Sequence, residues 1–304
     1  MSTSTLSVVR RRIAWLARIN DYFELTKPKI AVLLLVTVAV AGYVASRGQL
    51  DPWVLLHTLA GTLLIAGSAS AMNQLLERKL DAMMARTADR PLPAGRICPA
   101  EVIALGMVGL IGGFVYLTLL VNWLTAFLGL ATWFLYVCVY TPLKTRTWLN
   151  TAVGAVAGAM PVLMGWSATR SAEALWTDPR AIALFLIVFF WQFPHFMAIA
   201  WIYRKQYARA GLKMLPVVDQ SGRWAGWHAV LAAFLLIPIS VIPGLSISAT
   251  SLFVMGAVLL GLAQFVCAIS FFARTNESTA RRLLRASLIY LPALLALMVF
   301  VPMI

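Results

Sequence analysis

Apolar residues recur along the 304-residue chain in blocks of about 20, separated by shorter polar segments. That block length is what an α-helix needs to cross the hydrocarbon core of a bilayer. The pattern predicts nine spans, at roughly 29–47, 53–75, 100–119, 123–141, 150–168, 180–203, 226–245, 250–272 and 286–303. The fold class is therefore all-α, a polytopic membrane protein. No polar stretch is long enough for a water-soluble core, so the chain divides into an N-terminal segment, 1–28, and a single membrane-embedded domain, 29–304. Within that segment Ile13, Leu16, Ile19 and Phe23 recur at near-helical spacing, which predicts an interfacial helix lying on the inner leaflet.

Composition agrees. Hydrophobic residues make up 61% of the chain and charged residues 12%, with a mean hydropathy of +0.84, whereas a soluble domain carries about 25% charged residues. A formal net charge of +14 could signal nucleic acid, but the position of the basic residues says otherwise. With the N-terminus inside, 22 of the 25 Lys and Arg residues fall on the inner side, and only Arg47, Arg170 and Arg180 fall outside. This is the bias that sets membrane orientation. It predicts a cytoplasmic N-terminus and a C-terminus on the far side. The basicity encodes topology, and the partner it implies is the lipid bilayer rather than nucleic acid. Omitting any one span would move later basic loops to the wrong side.

The long inner connections, 76–98 and 204–223, carry Arg, Lys, Pro and Gly, and long loops in compact proteins are usually functional. The working face is thus expected on the cytoplasmic side of a bacterial inner membrane. The Ser, Thr and Arg content of the first thirty residues overlaps with mitochondrial transit peptides, which makes the mitochondrial inner membrane the second localisation. Cys98, Cys138 and Cys267 are far apart and without CxxC or His-rich company, so they are read as packing residues.

The chemistry concentrates in two places. Asn73, Glu77 and Asp81 are spaced by four at the end of the second span. Each step of four turns a helix about 40° past a full circle, so the three side chains share one stripe. Oxygen ligands in that arrangement suit Mg²⁺, which binds one or two carboxylates together with substrate phosphates. Arg86 and Arg90 follow, again four apart, and guanidinium groups bind phosphate bidentately. The competing reading is an interfacial helix end with its acids paired to local cations. Asn73 argues against it, because it lies deeper in the span than a snorkelling group needs to be.

The second place is the sixth span, which ends Phe189-Phe190-Trp191-Gln192-Phe193-Pro194-His195-Phe196. Aromatic faces attract a cation, and an allylic carbocation left by departing diphosphate would be such a guest. His195 could ligate iron, act as a base or bond a neighbouring carbonyl. His57 and His228 lack comparable company and are read as structural. Lys144 and Arg146 sit at the membrane edge, leading to a small-residue helix with Gly154, Gly158, Pro161 and Gly165.

Five stretches, in order from residue 25 to about 218, carry a resemblance: Leu25-Thr26-Lys27-Pro28-Lys29, the Asn73 to Pro93 segment ending Arg90-Pro91-Leu92-Pro93, Tyr140-Thr141-Pro142-Leu143-Lys144, Trp191 to Phe196, and Tyr207 to Val217. They resemble the UbiA-type intramembrane prenyltransferases, and within them the haem-modifying branch. The resemblance implies nine helices around a central cavity, farnesyl diphosphate and haem B as substrates, and Mg²⁺ as the metal. It places Asn73, Glu77 and Asp81 on the metal. Arg86, Arg90, Lys144 and Arg204 fall on diphosphate, with Arg146, Tyr203, Lys205, Gln206 and Tyr207 completing the substrate-binding set. His195 falls on the haem, as iron ligand or proton handler, and a haem A synthase or terminal oxidase assembly follows downstream. One departure counts against a second metal: where many relatives carry acids before the tyrosine matched by Tyr207, this chain has Lys205 and Gln206, and Lys205 is the candidate to put positive charge directly on the diphosphate. The residues themselves leave open another prenyl acceptor, such as an aromatic acid or quinone precursor, and a secondary transporter lined by Asn73, Gln192 and His195.

Overall fold

The computed structural model describes residues 15–170, 173–245 and 250–301. Arg10, Arg11, Arg12 and Ile13 lie outside them. The long helices are α1 (Pro28–Ala45), α2 (Pro52–Asp81), α3 (Pro99–Leu120), α4 (Trp123–Leu143), α5 (Asn150–Ser167), α6 (Pro179–Ile202), α7 (Arg223–Val241), α8 (Thr250–Ala273) and α9 (Glu277–Phe300). Among the described residues eight are long and apolar enough to cross a membrane, and α5 is the exception. Its composition follows from its place. Fourteen of its 18 residues are buried, so protein rather than lipid surrounds it.

Helix α5 nevertheless runs the depth of the bundle. At its start the Asn150 amide donates to Lys213 O at 3.1 Å, and the Lys213 amide donates to Lys144 O, just past the end of α4. At its far end Ser167 O accepts from Asn122 Nδ2 at 2.8 Å, and Asn122 caps the start of α4. Helices α4 and α5 therefore lie antiparallel over the same depth. Helix starts are marked by local chemistry. Asp51 and Asp178, just ahead of Pro52 and Pro179, accept from the backbone N–H groups of Trp53 and Arg180, and Asn276 and Thr279 form a capping box at α9, as expected of good N-caps.

Two boundaries depart from the hydrophobic pattern. Helix α2 continues through Asp81, and α9 begins at Glu277 instead of near 286, because polar turns at the membrane edge extend a helix without adding apolar signal. The main core joins α1, α4, α5, α6 and α9, with Trp166, Leu184, Ile187 and Tyr290 fully buried. Outward faces are apolar, with Val108, Leu119 and Ile289 exposed, as lipid contact requires.

A helix over residues 15–25 precedes α1. Trp15, Leu16, Ile19 and Phe23 are exposed along it, while Asp21 accepts from Arg96 Nε at 2.8 Å and Arg18 pairs with Glu101. Arg18, Asn20 and Glu24 are exposed on the same helix, and its ion pairs to Arg96 and Glu101 tie it to the connection into α3. Cys98 and Cys138 are exposed, which corrects their reading as packing residues, whereas Cys267 is half-buried and packs against the core formed by α6, α7, α8 and α9.

Candidate active site

A cavity of about 550 Å³ opens between α1, α2, α4, α5 and α6. One end is polar. Asn73, Glu77 and Asp81 all line it from α2, with the outer two about 12 Å apart along the axis, at 1.5 Å per residue. Each already holds a cation. Asn73, fully buried, accepts from Lys27 Nζ at 2.6 Å and donates to Thr141 Oγ1 at 2.9 Å. Lys144 Nζ lies 2.6 Å from Glu77 Oε1, and Arg90 Nη1 donates to Asp81 Oδ2 at 2.6 Å. Arg86 lines the same end, its guanidinium 5.1 Å from the centre of the Tyr203 ring.

The electrostatic balance of this end is positive. Lys27, Arg86, Arg90 and Lys144 face only Glu77 and Asp81 among the lining residues. Burial, with the Lys144 charge beside it, pushes the Lys27 ammonium down to about 7. Among the described residues no three His, Cys, Asp or Glu side chains cluster as a metal cage. Two carboxylates and one amide oxygen on a stripe are instead a partial hard-oxygen set, which fits Mg²⁺ completed by water and phosphate.

The interior of the cavity is apolar and aromatic, and its wall differs from the one the sequence suggests. Phe189, Phe190 and Phe193 pack on one another, with ring centroids 5.1 to 6.5 Å apart, and do not line the cavity. Trp133, Tyr136 and Tyr140 of α4 do, with Phe196 and Tyr207 opposite. A π-helical turn over Leu135–Tyr140 interrupts α4. Such turns reset helical register and often mark functional sites. Lys144 Nζ lies 4.5 Å from the Tyr140 ring centre.

His195 and Gln192 face the cavity from α6. The His195 ring stacks on Trp191 at 4.9 Å, and its Nδ1 lies 3.0 Å from Ser287 Oγ on α9. Gln192 Nε2 donates to Ala155 O at 2.9 Å and Val188 O at 3.1 Å. Gly158 makes room for it: a Cβ there would stand 2.2 Å from Gln192 Oε1. His57 and His228 have structural partners, the Tyr116 hydroxyl and Trp224 O.

The structure therefore brings together Asn73, Glu77, Asp81, Arg86, Arg90, Lys144, His195 and Tyr207. It does not add Arg146, Arg204, Lys205, Gln206 or Tyr203 to the lining. Arg146 and Lys205 are exposed. Arg204 folds back, donating to Trp201 O at 2.7 Å with its Cζ 4.1 Å above the Trp201 ring. Tyr203 acts one layer out, beneath Arg86. Lys205 is thus not placed to supply charge to a ligand in the cavity. Lys27, Ser287 and the α4 aromatics are the residues sequence reasoning missed. Lys27 and Tyr140 stand in stretches that carry the family resemblance, whereas nothing in the sequence marked Ser287, Trp133 or Tyr136.

Comparison with known proteins gives this geometry a context. Residues 34–295 match the model of the UbiA prenyltransferase family. The chain is 42% identical to the protoheme IX farnesyltransferase of Koribacter versatilis, over 97% of each chain. It is likewise 42% identical to that of Rhodopirellula baltica, over 90% of this chain and 97% of the relative. Among solved structures it is similar in fold to a digeranylgeranylglyceryl phosphate synthase, with TM-score 0.74 at 15% identity over 93% of this chain and 98% of the other. A UbiA homologue from Archaeoglobus fulgidus, bound to DMAPP and Mg²⁺, superposes with TM-score 0.68 at 13% identity over 92% of this chain and 99% of the other.

Proposed function

The chain belongs to the UbiA prenyltransferase family, and from that premise we propose that it transfers the farnesyl group of farnesyl diphosphate to a vinyl group of haem B, with addition of water, giving haem O and diphosphate. Membership makes it an enzyme rather than a transporter. The observation that carries the reading is the joining of two chemistries in one cavity: the Asn73, Glu77, Asp81 stripe among four cations at one end, and His195 with an aromatic wall further in. The acceptor is supported by relatives such as those of K. versatilis and R. baltica, which match almost end to end.

Asn73, Glu77 and Asp81 would hold Mg²⁺, which when bound draws charge from the departing diphosphate. Arg86, Arg90 and Lys144 bind the phosphate oxygens, as charge-assisted donors to an anion that gains charge during the reaction. The allylic C–O bond breaks with its electron pair on the diphosphate oxygen. Trp133, Tyr136 and Tyr140 then offer ring faces to the allylic cation, each contributing about 0.5–2 kcal/mol. The π electrons of a haem vinyl group form the new C–C bond, and water captures the cation left beside the porphyrin and loses one proton to solvent, giving the hydroxyl. The apolar lining keeps water from the first cation until the new C–C bond has formed.

The 22-to-3 split of basic residues supports a mouth opening to the cytoplasm from a bacterial inner membrane. The product would pass to a haem A synthase or a terminal oxidase assembly. The decisive experiment is mass analysis of porphyrins from cells lacking this activity, with and without the gene. A gain matching farnesyl plus water is expected. An unmodified porphyrin beside a prenylated aromatic acid or quinone precursor would replace haem B with another acceptor.

A further inference from the structure

Four cations line the polar end of the cavity, and three have evident company. Arg90 is paired with Asp81, Lys144 with Glu77, and Arg86 lies over the Tyr203 ring. Lys27 differs. Its Nζ lies 2.6 Å from Asn73 Oδ1, and an amide oxygen carries no net charge. Among the described residues Lys27 makes no ion pair of its own, and the two carboxylates of the lining, Glu77 and Asp81, are each paired to another cation; a buried charge so placed is costly, and inside a membrane protein it points to a ligand.

The backbone adds a second observation. Lys27 has φ 51° and ψ 61°, a left-handed conformation that non-glycine residues rarely adopt. Pro28 begins α1 directly after it, and a residue before proline is disfavoured in the right-handed helical region. The chain thus turns sharply between the 15–25 helix and α1, and this turn delivers the ammonium to the end of the cavity where the α2 oxygens lie. Backbone strain of this kind persists where the surroundings enforce it, and it gathers at functional sites.

We propose that Lys27 binds the diphosphate of the prenyl donor, as a fourth cation of that site. An ammonium has three N–H donors. One meets Asn73 Oδ1, whose second lone pair remains for the metal, and two are left for phosphoryl oxygens. No bond forms to Lys27. It donates hydrogen bonds to oxygens that gain charge as the allylic C–O bond breaks. The assignment rests on the prenyltransferase reading above, and concerns its donor half alone.

The test uses the full chain in nanodiscs, with Mg²⁺ and inorganic pyrophosphate titrated by calorimetry. Lys27→Met and Lys27→Gly both remove the ammonium, and glycine also adopts φ > 0 without strain. Both variants should bind pyrophosphate about tenfold more weakly or worse. The KM for farnesyl diphosphate should rise in step and that for haem B stay unchanged, with Lys27→Arg recovering most of the loss. Thermal unfolding of Lys27→Gly at or above the parent temperature separates the lost charge from misfolding. Folded Met and Gly variants that bind pyrophosphate as the parent does would remove Lys27 from the site and leave the family reading intact. A rise in the haem KM alone would overturn the assignment in favour of a porphyrin carboxylate. A parent protein that binds no magnesium pyrophosphate would sink both the assignment and the donor reading beneath it.

Discussion

Ser287 Oγ lies 3.0 Å from His195 Nδ1 and 2.7 Å from Leu284 O. A hydroxyl has one proton to give. Ser287 donates it to the carbonyl, and so accepts from the Nδ1–H of His195. The histidine is held as the Nδ1–H tautomer with Nε2 carrying the free lone pair. Trp191 reinforces this, stacking on the ring while its indole N–H donates to Ser287 O at 2.6 Å. Ser287 is fully buried and outside the lining, so the ring turns its other edge to the cavity. His195→Ala should therefore impair use of haem B more than binding of magnesium pyrophosphate. Ser287→Ala should do the same more weakly, by about tenfold in kcat/KM for haem B, in the range of losses when a partner that orients a ligand is removed. Equal loss on the donor side would argue against a haem-specific role for this pair.

Asp81 sits 1% exposed beneath Arg90, at the outer end of the α2 stripe. Asp81→Ala should lower product formation in membranes by on the order of a hundredfold or more, since a metal clamp is worth several kcal/mol at the transition state. Protein abundance by immunoblot should stay near that of the parent. Unchanged turnover would remove Asp81 from the metal set.

The lining also bears on metal stoichiometry. Glu77 and Asp81 are the carboxylates that face the cavity, and neither Lys205 nor Gln206 does. Activity removed by EDTA should return on adding Mg²⁺ with a dependence that fits one required ion. A dependence that demands two would show that an acid outside this lining reaches the substrate.

The all-helical membrane fold was readable because bilayer thickness fixes helix length, and eight of the nine apolar blocks correspond to helices that, among the described residues, are long and apolar enough to cross a membrane. The α2 oxygens were readable for a similar reason, since a period of four on a known helix defines a face. Contacts between distant helices were not. Ser287 meets His195 across 92 residues, and a serine inside an apolar helix gives no hint of its partner. The aromatic wall was sought on α6 because aromatics are densest there, but Phe189, Phe190 and Phe193 pack on one another and leave Phe196 to the cavity, while a π-helical turn in α4 adds Trp133, Tyr136 and Tyr140 to its wall. Arg204 looked like a phosphate ligand by position, yet a carbonyl and an indole ring within its own turn hold it back.

Gly158 tests how closely the inner wall is built. Adding one methyl places it 2.2 Å from Gln192 Oε1, and Gln192 can yield only by breaking its bonds to Ala155 O and Val188 O. Gly158→Ala should cost about 1–3 kcal/mol, the range for overpacking a filled interior, read as a lower unfolding temperature in detergent. An unchanged temperature would mean that Gln192 swings into the cavity freely, and the volume available to substrate should then fall.

Prenyl length should be set on the same α2 face that carries the oxygens. Ala66 and Ala69 line the cavity below Asn73, with Ile65 and Thr62 further in and Met164 and Pro161 across from them on α5. Ala66 lies seven residues from Asn73, about 10 Å deeper along the helix, so a tail leaving a diphosphate at the mouth runs over it. A phenyl ring there occupies the volume of the last part of a long tail, and the apolar wall offers it no water to displace the clash. Ala66→Phe should lower kcat/KM for farnesyl diphosphate by about tenfold to a hundredfold, since a few methylenes in an apolar pocket are worth that much discrimination, while geranyl diphosphate becomes the better donor. Met164→Ala should act in the opposite sense and admit a longer tail. Competition assays with mixed donors, read by the mass of the porphyrin product, check both. If neither variant changes the donor preference, the tail leaves the mouth along another wall, and the α2 face sets only the position of the diphosphate.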